Sequence, residues 1–421
     1  MAKINKFILW IAILIVIDLA LLIWRWTSTG MTHSLASRFQ GLVFVEILMS
    51  IFSYIVYQRC SGSPENKTPQ RIAIRIIVLL FLIIAQSASV FFFVYLPENS
   101  IVVECCFLCV SVYAHWAVFL LPLIGMEKVL KQFLPSVRHP VLKSKSLHTY
   151  AALAIAITLT SFGHVATRLT PTIVRSDVLI PGLPDNLNGF TIALVTDVHI
   201  GPTVGKDRVE QIVSLVNSLN ADMIAIAGDL VDGFVDNLER RVLPFAGLKA
   251  KHAVFFATGN HEYYFGSVDD WLKFFSSKLH LNVLRNTHKT IALDDKDNQN
   301  GSLCVVGLDD LVTESLSIQG HKMNPKAAVE GCPPKSIIVV LAHQPNAVRK
   351  IIDSTDRHID LILSGHTHNG QFYIFWPVVY LQNAYIHGLY RDSSSGTQIY
   401  VSAGVNYAGP PVKYGTTAKL F

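Results

Sequence analysis

Four short constellations in the second half of this chain gather side chains able to bind metal. They are Asp197-Val198-His199, Gly228-Asp229-Leu230-Val231-Asp232, Gly259-Asn260-His261-Glu262 and Gly365-His366-Thr367-His368. A lone His343, in Leu341-Ala342-His343-Gln344-Pro345, stands between the last two. Each directly follows an apolar, strand-like run. Singly they are weak signals, because an Asp after a strand is commonly a helix cap or a turn residue. Together and in this order they answer no packing demand. Mixed carboxylate and imidazole sets suit Mn, Fe or Zn.

Alternating strands and helices must carry these residues. Runs at 178–180 and 191–195 read as strands around a turn-rich 181–189. Val209, Ile212, Val213, Val216 and Leu219 recur at helical spacing, which predicts a helix over 206–219. Strands are expected at 223–227, 253–257, 281–285, 288–293, 303–307, 337–341 and 361–363, and helices at 238–248, 268–278 and 344–353. Residues 372–421 look β-rich, and the apolar run 372–381, with Phe375, Trp376 and Pro377, reads first as a core strand and second as a membrane or acyl-chain contact. The order indicates an α/β core with polar residues at strand C-terminal ends, where open α/β sheets place their sites. Tyr263-Tyr264-Phe265 either lines the site or packs beneath it.

The first 170 residues are of another kind. The whole chain of 421 residues is 51% hydrophobic and only 15% charged, against about a quarter charged in ordinary soluble domains. The excess lies in five apolar runs at 7–24, 41–57, 76–96, 101–123 and 149–167, each near the ~20 residues that cross a bilayer. The division expected is a multi-pass membrane domain at 1–170 and a globular domain at 171–421. Residues 1–170 hold 14 Lys and Arg against 6 Asp and Glu, and the remainder 21 against 24. The acidic globular half shows no basic patch with interleaved aromatics, so no nucleic-acid partner is expected. With five spans, 11 basic residues fall on the N-terminal side and 4 on the other. The positive-inside rule then puts the globular domain on the lumenal or outer face. The Asn300-Gly301-Ser302 sequon agrees, and Cys304 and Cys332 could pair in an oxidising compartment. Asp18, Glu46, Glu104, His115 and His164 are ionisable groups inside spans, expected to snorkel or pair with Arg25, Arg38 or Arg168, His115 excepted.

The five constellations resemble, in order, the motifs of the calcineurin-like metallophosphoesterase family, and with the multi-pass N-terminus they resemble its membrane-tethered branch. The likeness covers about 175–421. It implies a domain of two packed mixed β-sheets flanked by helices and two divalent ions. It implies that Asp197, His199 and His368 hold one ion, that Asn260, His343 and His366 hold the other, and that Asp229 bridges them. It further implies that His261 protonates the leaving oxygen, that Asp232 orients His261, and that the Asn260 amide reaches a phosphate oxygen. Thr196, Asn369 and Lys413 depart slightly from the branch's usual residues. The expected activity is hydrolysis of a phosphomonoester or phosphodiester. The linker at 168–177 spans at most about 35 Å, so membrane lipids are expected partners and a lipid-linked phosphate ester the favoured substrate. The alternative is a non-enzymatic transporter or scaffold with structural metals.

Overall fold

The computed structural model describes residues 2–62, 65–94, 101–133, 140–265, 268–293, 301–316, 318–372, 374, 376–414 and 419–420. Asn300 lies outside them. The chain divides into two compact units. One comprises Met1–Ser28, Leu35–Ala166 and Gly409–Val412, and the other Thr29–Ser34, Thr167–Ala408 and Lys413–Phe421.

The first unit is built from α1 (Ala2–Thr27), α2 (Gly30–Ser61), α3 (Pro69–Phe93), α4 (Ile101–Phe133), the one-turn α5 (Pro140–Lys143) and α6 (Lys145–Arg168). Five of these are long and apolar enough to cross a membrane. They outrun the apolar cores that mark them in the sequence. The second, expected as a short span at 41–57, lies within a helix of 32 residues. Hydropathy locates only the greasy centre, whereas a helix continues into polar flanks until something stops it. Here the stop is Gly62, at φ +65°. Phe52, Val56, Leu82, Ala85, Trp116, Leu120, Ala152 and Ala156 form the core between helices, with small residues allowing close approach.

Polar groups in this unit pair with one another. Arg59 donates to both oxygens of Glu127, at 3.0 and 2.6 Å, and to Thr149 Oγ1 at 2.8 Å. His148 Nδ1 meets the same Glu127 carboxylate at 2.6 Å. That network stitches α2, α4 and α6. Two of the intramembrane acids have polar neighbours on other helices. Ser89 donates to Glu46 at 2.5 Å, and His164 lies 3.6 Å from Glu104. His115 Nδ1 donates to the Ser111 carbonyl one turn back at 2.7 Å.

The second unit holds strands β1 (Thr172–Ile173), β2 (Ile192–Val195), β3 (Met223–Ala227), β4 (Ala253–Ala257), β5 (Asn282–Val283), β6 (Thr287–Ala292), β7 (Ser302–Gly307), β8 (Ile337–Leu341), β9 (Leu361–Ser364), β10 (Gly388–Arg391), β11 (Gln398–Val401) and β12 (Lys419–Leu420). Its helices are α7 (Lys206–Ser218), α8 (Val235–Val242), α9 (His261–Tyr264), α10 (Val268–Ser277), α11 (Thr313–Leu316), α12 (Pro325–Val329), α13 (Val348–Asp353) and α14 (Trp376–Gln382). One sheet runs β2-β3-β4-β5, parallel throughout. The other runs β10-β11-β9-β8-β7-β6, parallel at its centre with antiparallel edges. β1 and β12 form a separate parallel pair.

Alternation along the strands decides the layering. In β3, Met223, Ala225 and Ala227 face the partner sheet. They share a dry core with Leu303, Val305, Ile337, Val339, Leu341, Leu361 and Leu363. Ile224 and Ile226 point the other way, against α7, α8 and α10 through Val209, Ile212, Leu238, Trp271 and Phe275. The outer face of the six-stranded sheet packs α12 and α13 through Ala328, Val348 and Ile351. The result is helix, sheet, sheet, helix.

Three local expectations are corrected. Residues 178–180 form no strand; Val178 and Ile180 are half-buried against the inter-sheet core without a ladder. The helix expected at 238–248 is α8 followed by a 3-10 turn, Leu243–Gly247, because Pro244 removes an amide and clashes with the preceding turn. The apolar run at 372–381 is not a core strand. Its described part forms α14, none of whose residues is buried.

Cys304 and Cys332 are joined, with Cα atoms 5.8 Å apart. Cys60, Cys105, Cys106 and Cys109 carry free thiols. A maleimide reagent applied to the denatured, unreduced protein should therefore label four cysteines, and six after reduction, with mass spectrometry placing the gain on 304 and 332.

Candidate metal centre

Five parallel strands end in the five constellations. β2 delivers Asp197 and His199, β3 delivers Asp229 and Asp232, β4 delivers Asn260 and His261, β8 delivers His343, and β9 delivers His366 and His368. The C-terminal ends of both sheets thus open on one place. The backbone there is unusual. Asp197, His199, Asp229, His366, His368 and Asn369 all have positive φ, between 47° and 72°, a conformation that non-glycine residues seldom adopt. Such strain costs of order 1–3 kcal/mol per residue and persists only where surrounding contacts enforce it.

Those contacts are visible around Asp229. The Glu262 carboxylate accepts from the amides of Gly259 (2.7 Å), Asp229 (3.0 Å), Leu230 (2.7 Å) and Val231 (3.2 Å). It grips the β3 and β4 loops together. Gly228 and Gly259 are the price of that closeness. A Cβ on Gly228 would lie 2.6 Å from Gly259 Cα, and one on Gly259 would lie 2.2 Å from Asp229 Oδ1.

The side chains form overlapping groups able to hold metal. One is Asp197, His199 and His368; another is Asp229, His343 and His366; a third joins His199, Asp229 and His261. Asp229 Oδ2 lies 3.0 Å from His343 Nε2 and 3.7 Å from His199 Nε2. His368 Nε2 lies 3.3 Å from Asp197 Oδ1 and 2.9 Å from His199 Nε2. Asn260 Oδ1 lies 2.9 Å from His366 Nδ1. Atoms sharing an ion at ~2.1 Å stand about 3.0–3.4 Å apart, so these spacings suit a common ion. A fourth cluster, of Cys304, Cys332 and His288, is closed to metal because its sulfurs are bonded to each other.

Hydrogen bonding and electrostatics make the same demand for positive charge. His343 Nδ1 donates to the Ala227 carbonyl at 2.8 Å, which turns the other ring nitrogen, Nε2, towards Asp229. His199 Nδ1 likewise donates to Asp232 at 2.9 Å, leaving its Nε2 facing that of His368. Burial alone would raise the Asp229 carboxyl, but His343, His261 and His199 outweigh it and hold the group ionised, well below the usual carboxylate range. Burial, then His343, pushes His366 down to about 4. Burial, His199 and Lys413 keep His368 neutral as well. Burial opposes charge on His343, but Asp229 and Asp197 outweigh it and hold the ring well above the ordinary imidazole range; a divalent ion bound there would take the place of that proton.

Beside these groups lies a proton-bearing pair. Asp232 Oδ1 accepts from His261 Nδ1 at 2.7 Å as well as from His199 Nδ1. Burial opposes charge on His261, but Asp232 and Asp229 outweigh it and hold the ring up at about 9. Asp232 therefore steadies two imidazoles where the sequence argument expected one. The two tyrosines after His261 divide the readings between them. Tyr263 is buried with its hydroxyl 3.1 Å from Thr258 Oγ1. Tyr264 is 40% exposed, and its ring stands 5.1 Å from that of His261.

Three supporting groups went unassigned in the sequence argument. Glu262 lay inside a recognised motif, and only the fold shows its four amides. Asp310 follows β7 as Asp197 and Asp229 follow β2 and β3, a signal that was present. It is fully buried and accepts from the Val312 amide (2.8 Å) and Gln344 Nε2 (2.6 Å), bracing the residue next to His343. Burial pushes its carboxyl up to about 6. Lys413 is buried and donates to the carbonyls of Ala403, Gly404 and Asn406, tying down the loop whose Gly404 packs on Asp197. Among the remaining histidines, His288 donates to the Ala328 carbonyl and His321 lies 3.2 Å from Asp269, ordinary structural contacts.

A two-layer sheet core with carboxylate and imidazole ligands at converging strand ends defines the class of metal-dependent phosphoric ester hydrolases. Residues 190–370 match the family model of the calcineurin-like phosphoesterases. The chain is 38% identical over 354 residues to a putative metallophosphoesterase, F40B5.2, of Caenorhabditis elegans, spanning 82% of this chain and 72% of that one. It is 33% identical over 398 residues to the transmembrane protein with metallophosphoesterase domain of Danio rerio, spanning 92% and 90%. An uncharacterized metallophosphoesterase of Helicobacter pylori is 32% identical over 340 residues, spanning 80% and 85%. The chain belongs to the calcineurin-like phosphoesterase family and is a multi-pass integral membrane metallophosphoesterase.

Glu262→Gln would replace one of two accepting oxygens with an NH2 that turns donors towards two of the four N–H groups. Metal retention after dialysis against a graded chelator should fall about 10- to 100-fold, as for outer-shell partners generally, measured by elemental analysis of the folded protein.

Proposed function

We propose that residues 171–421 hydrolyse a phosphate ester at a two-metal centre, on the lumenal or outer face of a membrane in which residues 1–170 are anchored. The observation that carries this reading is the shared position of Asp229, which belongs both to a ligand group with His199 and to one with His343 and His366. One carboxylate can therefore serve two ions, with Asp197, His199 and His368 completing one set and Asn260, His343 and His366 the other. Divalent ions bound there make water a competent nucleophile near neutral pH and neutralise phosphoryl charge.

The protein's own groups do the rest. His261 carries the proton that passes to the departing ester oxygen. Asp232 holds that ring by Nδ1, so Nε2 is presented to substrate and the charged ring is stabilised. Asn260 lies beside His366 and can offer its amide N–H to a phosphoryl oxygen. Tyr264 walls the side of the His261 ring.

Three observations support the lumenal or outer orientation. Basic residues outnumber 11 to 4 on the opposite side of the five-span arrangement. The Cys304–Cys332 pair is of a kind that persists in oxidising compartments. The sequon at Asn300 lies in the same half. A short tether near the bilayer favours a lipid or glycolipid phosphate ester.

The purified full-length protein should turn over aryl phosphate mono- or diesters with Mn²⁺ and lose that activity to a chelator. Asp229→Asn should lose metal and at least about a thousandfold in rate, the loss expected when metal stabilisation worth several kcal/mol disappears. His261→Gln should keep its metal yet lose about 10²–10⁴ in rate, more for an alkyl leaving group than for p-nitrophenolate, which departs without a proton. Metal bound without turnover on any ester would sink the hydrolytic reading. Orientation is read separately. Peptide N-glycosidase should shift the mobility of the cell-expressed protein, and Asn300→Gln should abolish the shift.

A further inference from the structure

Helix α14 presents an apolar surface that is exposed among the described residues. Trp376, Val378, Tyr380 and Leu381 are 40%, 47%, 50% and 87% exposed. No Asp, Glu, Lys or Arg occurs between Asp360 and Arg391. A helix on a water-facing surface ordinarily alternates charge with apolar positions, and an uncharged, exposed apolar patch marks a binding surface.

Its placement gives that surface a purpose. Trp376 Nε1 donates to the Asn369 carbonyl at 3.1 Å, and Asn369 directly follows His368. The indole lies so close over Gly370 that a Cβ there would meet it at 2.1 Å. At the other end, Asn346 donates to the Gln382 carbonyl and accepts from the Ala384 amide, both at 2.8 Å. Asn346 stands three residues after His343. Both ends of α14 are therefore braced on loops that carry candidate metal ligands. It is a fixed apolar shelf joined to the metal centre.

The occupant follows from chemistry. The centre takes a phosphate ester, and the shelf takes hydrocarbon. The same chain carries five candidate membrane spans, and Trp and Tyr are the side chains that favour the water–lipid boundary. We infer that α14 seats the hydrocarbon tail of a membrane lipid whose phosphate ester is hydrolysed at the metal centre. This rests on the phosphoesterase reading and supplies its substrate class. In the reaction, water's oxygen bonds to phosphorus, the P–O ester bond breaks, and the departing oxygen takes a proton. The tail is unchanged and serves only to hold the ester in place.

A homologous series of alkyl p-nitrophenyl phosphodiesters, ethyl to octyl, keeps the reacting group constant and varies only the tail. The full-length, Mn²⁺-loaded protein would be assayed in one detergent at fixed concentration, with substrates kept below self-association. The readout is the ratio of octyl to ethyl kcat/KM within each preparation, which is insensitive to the fraction of folded protein. Wild type should favour octyl at least about tenfold, since each buried methylene strengthens binding several-fold. Val378→Ser and Leu381→Ser, separately and together, should bring the ratio towards one. A wild-type ratio near one would mean that the shelf serves some other partner, such as a protein. A high ratio untouched by the substitutions would mean that tails bind elsewhere. Either result overturns the inference while leaving the hydrolase intact. No turnover of any member, ethyl included, would remove the phosphoesterase reading and this one with it.

Discussion

A buried carboxylate ringed by imidazole nitrogens is the constraint on which this unit is organised. Asp229 reaches His343, His199 and His261 at 3.0, 3.7 and 3.9 Å, and each ring presents Nε2. All three rings are locked that way from behind, His343 by the Ala227 carbonyl and His199 and His261 by Asp232. To aim its oxygens there, Asp229 adopts a left-handed backbone at φ 55°, and neither Gly228 nor Gly259 beside it can bear a side chain. Glu262 then holds the turn by four amides. The two sheets, the short loops and the glycines are consequences of placing one acid among several bases.

Much of this was readable from residue order because the ligands sit at strand ends. A run such as Met223 to Ala227 declares a strand, and the residues after it must leave the sheet at the same edge as those after its parallel neighbours. What could not be read was any contact between side chains distant in sequence. Asp232 and His199 are 33 residues apart, and their hydrogen bond depends on how the loops after β2 and β3 turn, which no local pattern encodes. Glu262 was conspicuous by type but its four amides belong to two loop segments, after β3 and after β4. Asp310 repeated the signal of an Asp after an apolar strand, yet lacked a neighbouring His to single it out.

The apolar run containing α14 failed for a different reason. Periodicity separates helix from strand only when one face is polar. Phe372 to Leu381 is apolar throughout, so the pattern carried no period. Length and composition favoured a buried strand, on the premise that an uncharged segment must be internal. Pro377 pointed the other way, since proline is readily accommodated in the first turn of a helix and poorly inside a sheet.

Acid content explains why such an arrangement needs its cations. Asp197, Asp229, Asp232, Glu262 and Asp310 are all buried. Burying ionised carboxylates without compensation is costly, and a protein lacking partners for them would protonate them instead. Glu262 is pushed up to about 7 and Asp310 to about 6, each by burial first, so these two already sit near neutrality. Asp229 and Asp232 stay ionised, because imidazoles crowd them. Yet those same imidazoles include the rings that must surrender their protons to bind metal. Divalent ions, if bound there, would resolve the conflict by supplying the charge that the histidines otherwise carry, and on the function proposed above would leave His261 as the ring whose proton serves the chemistry.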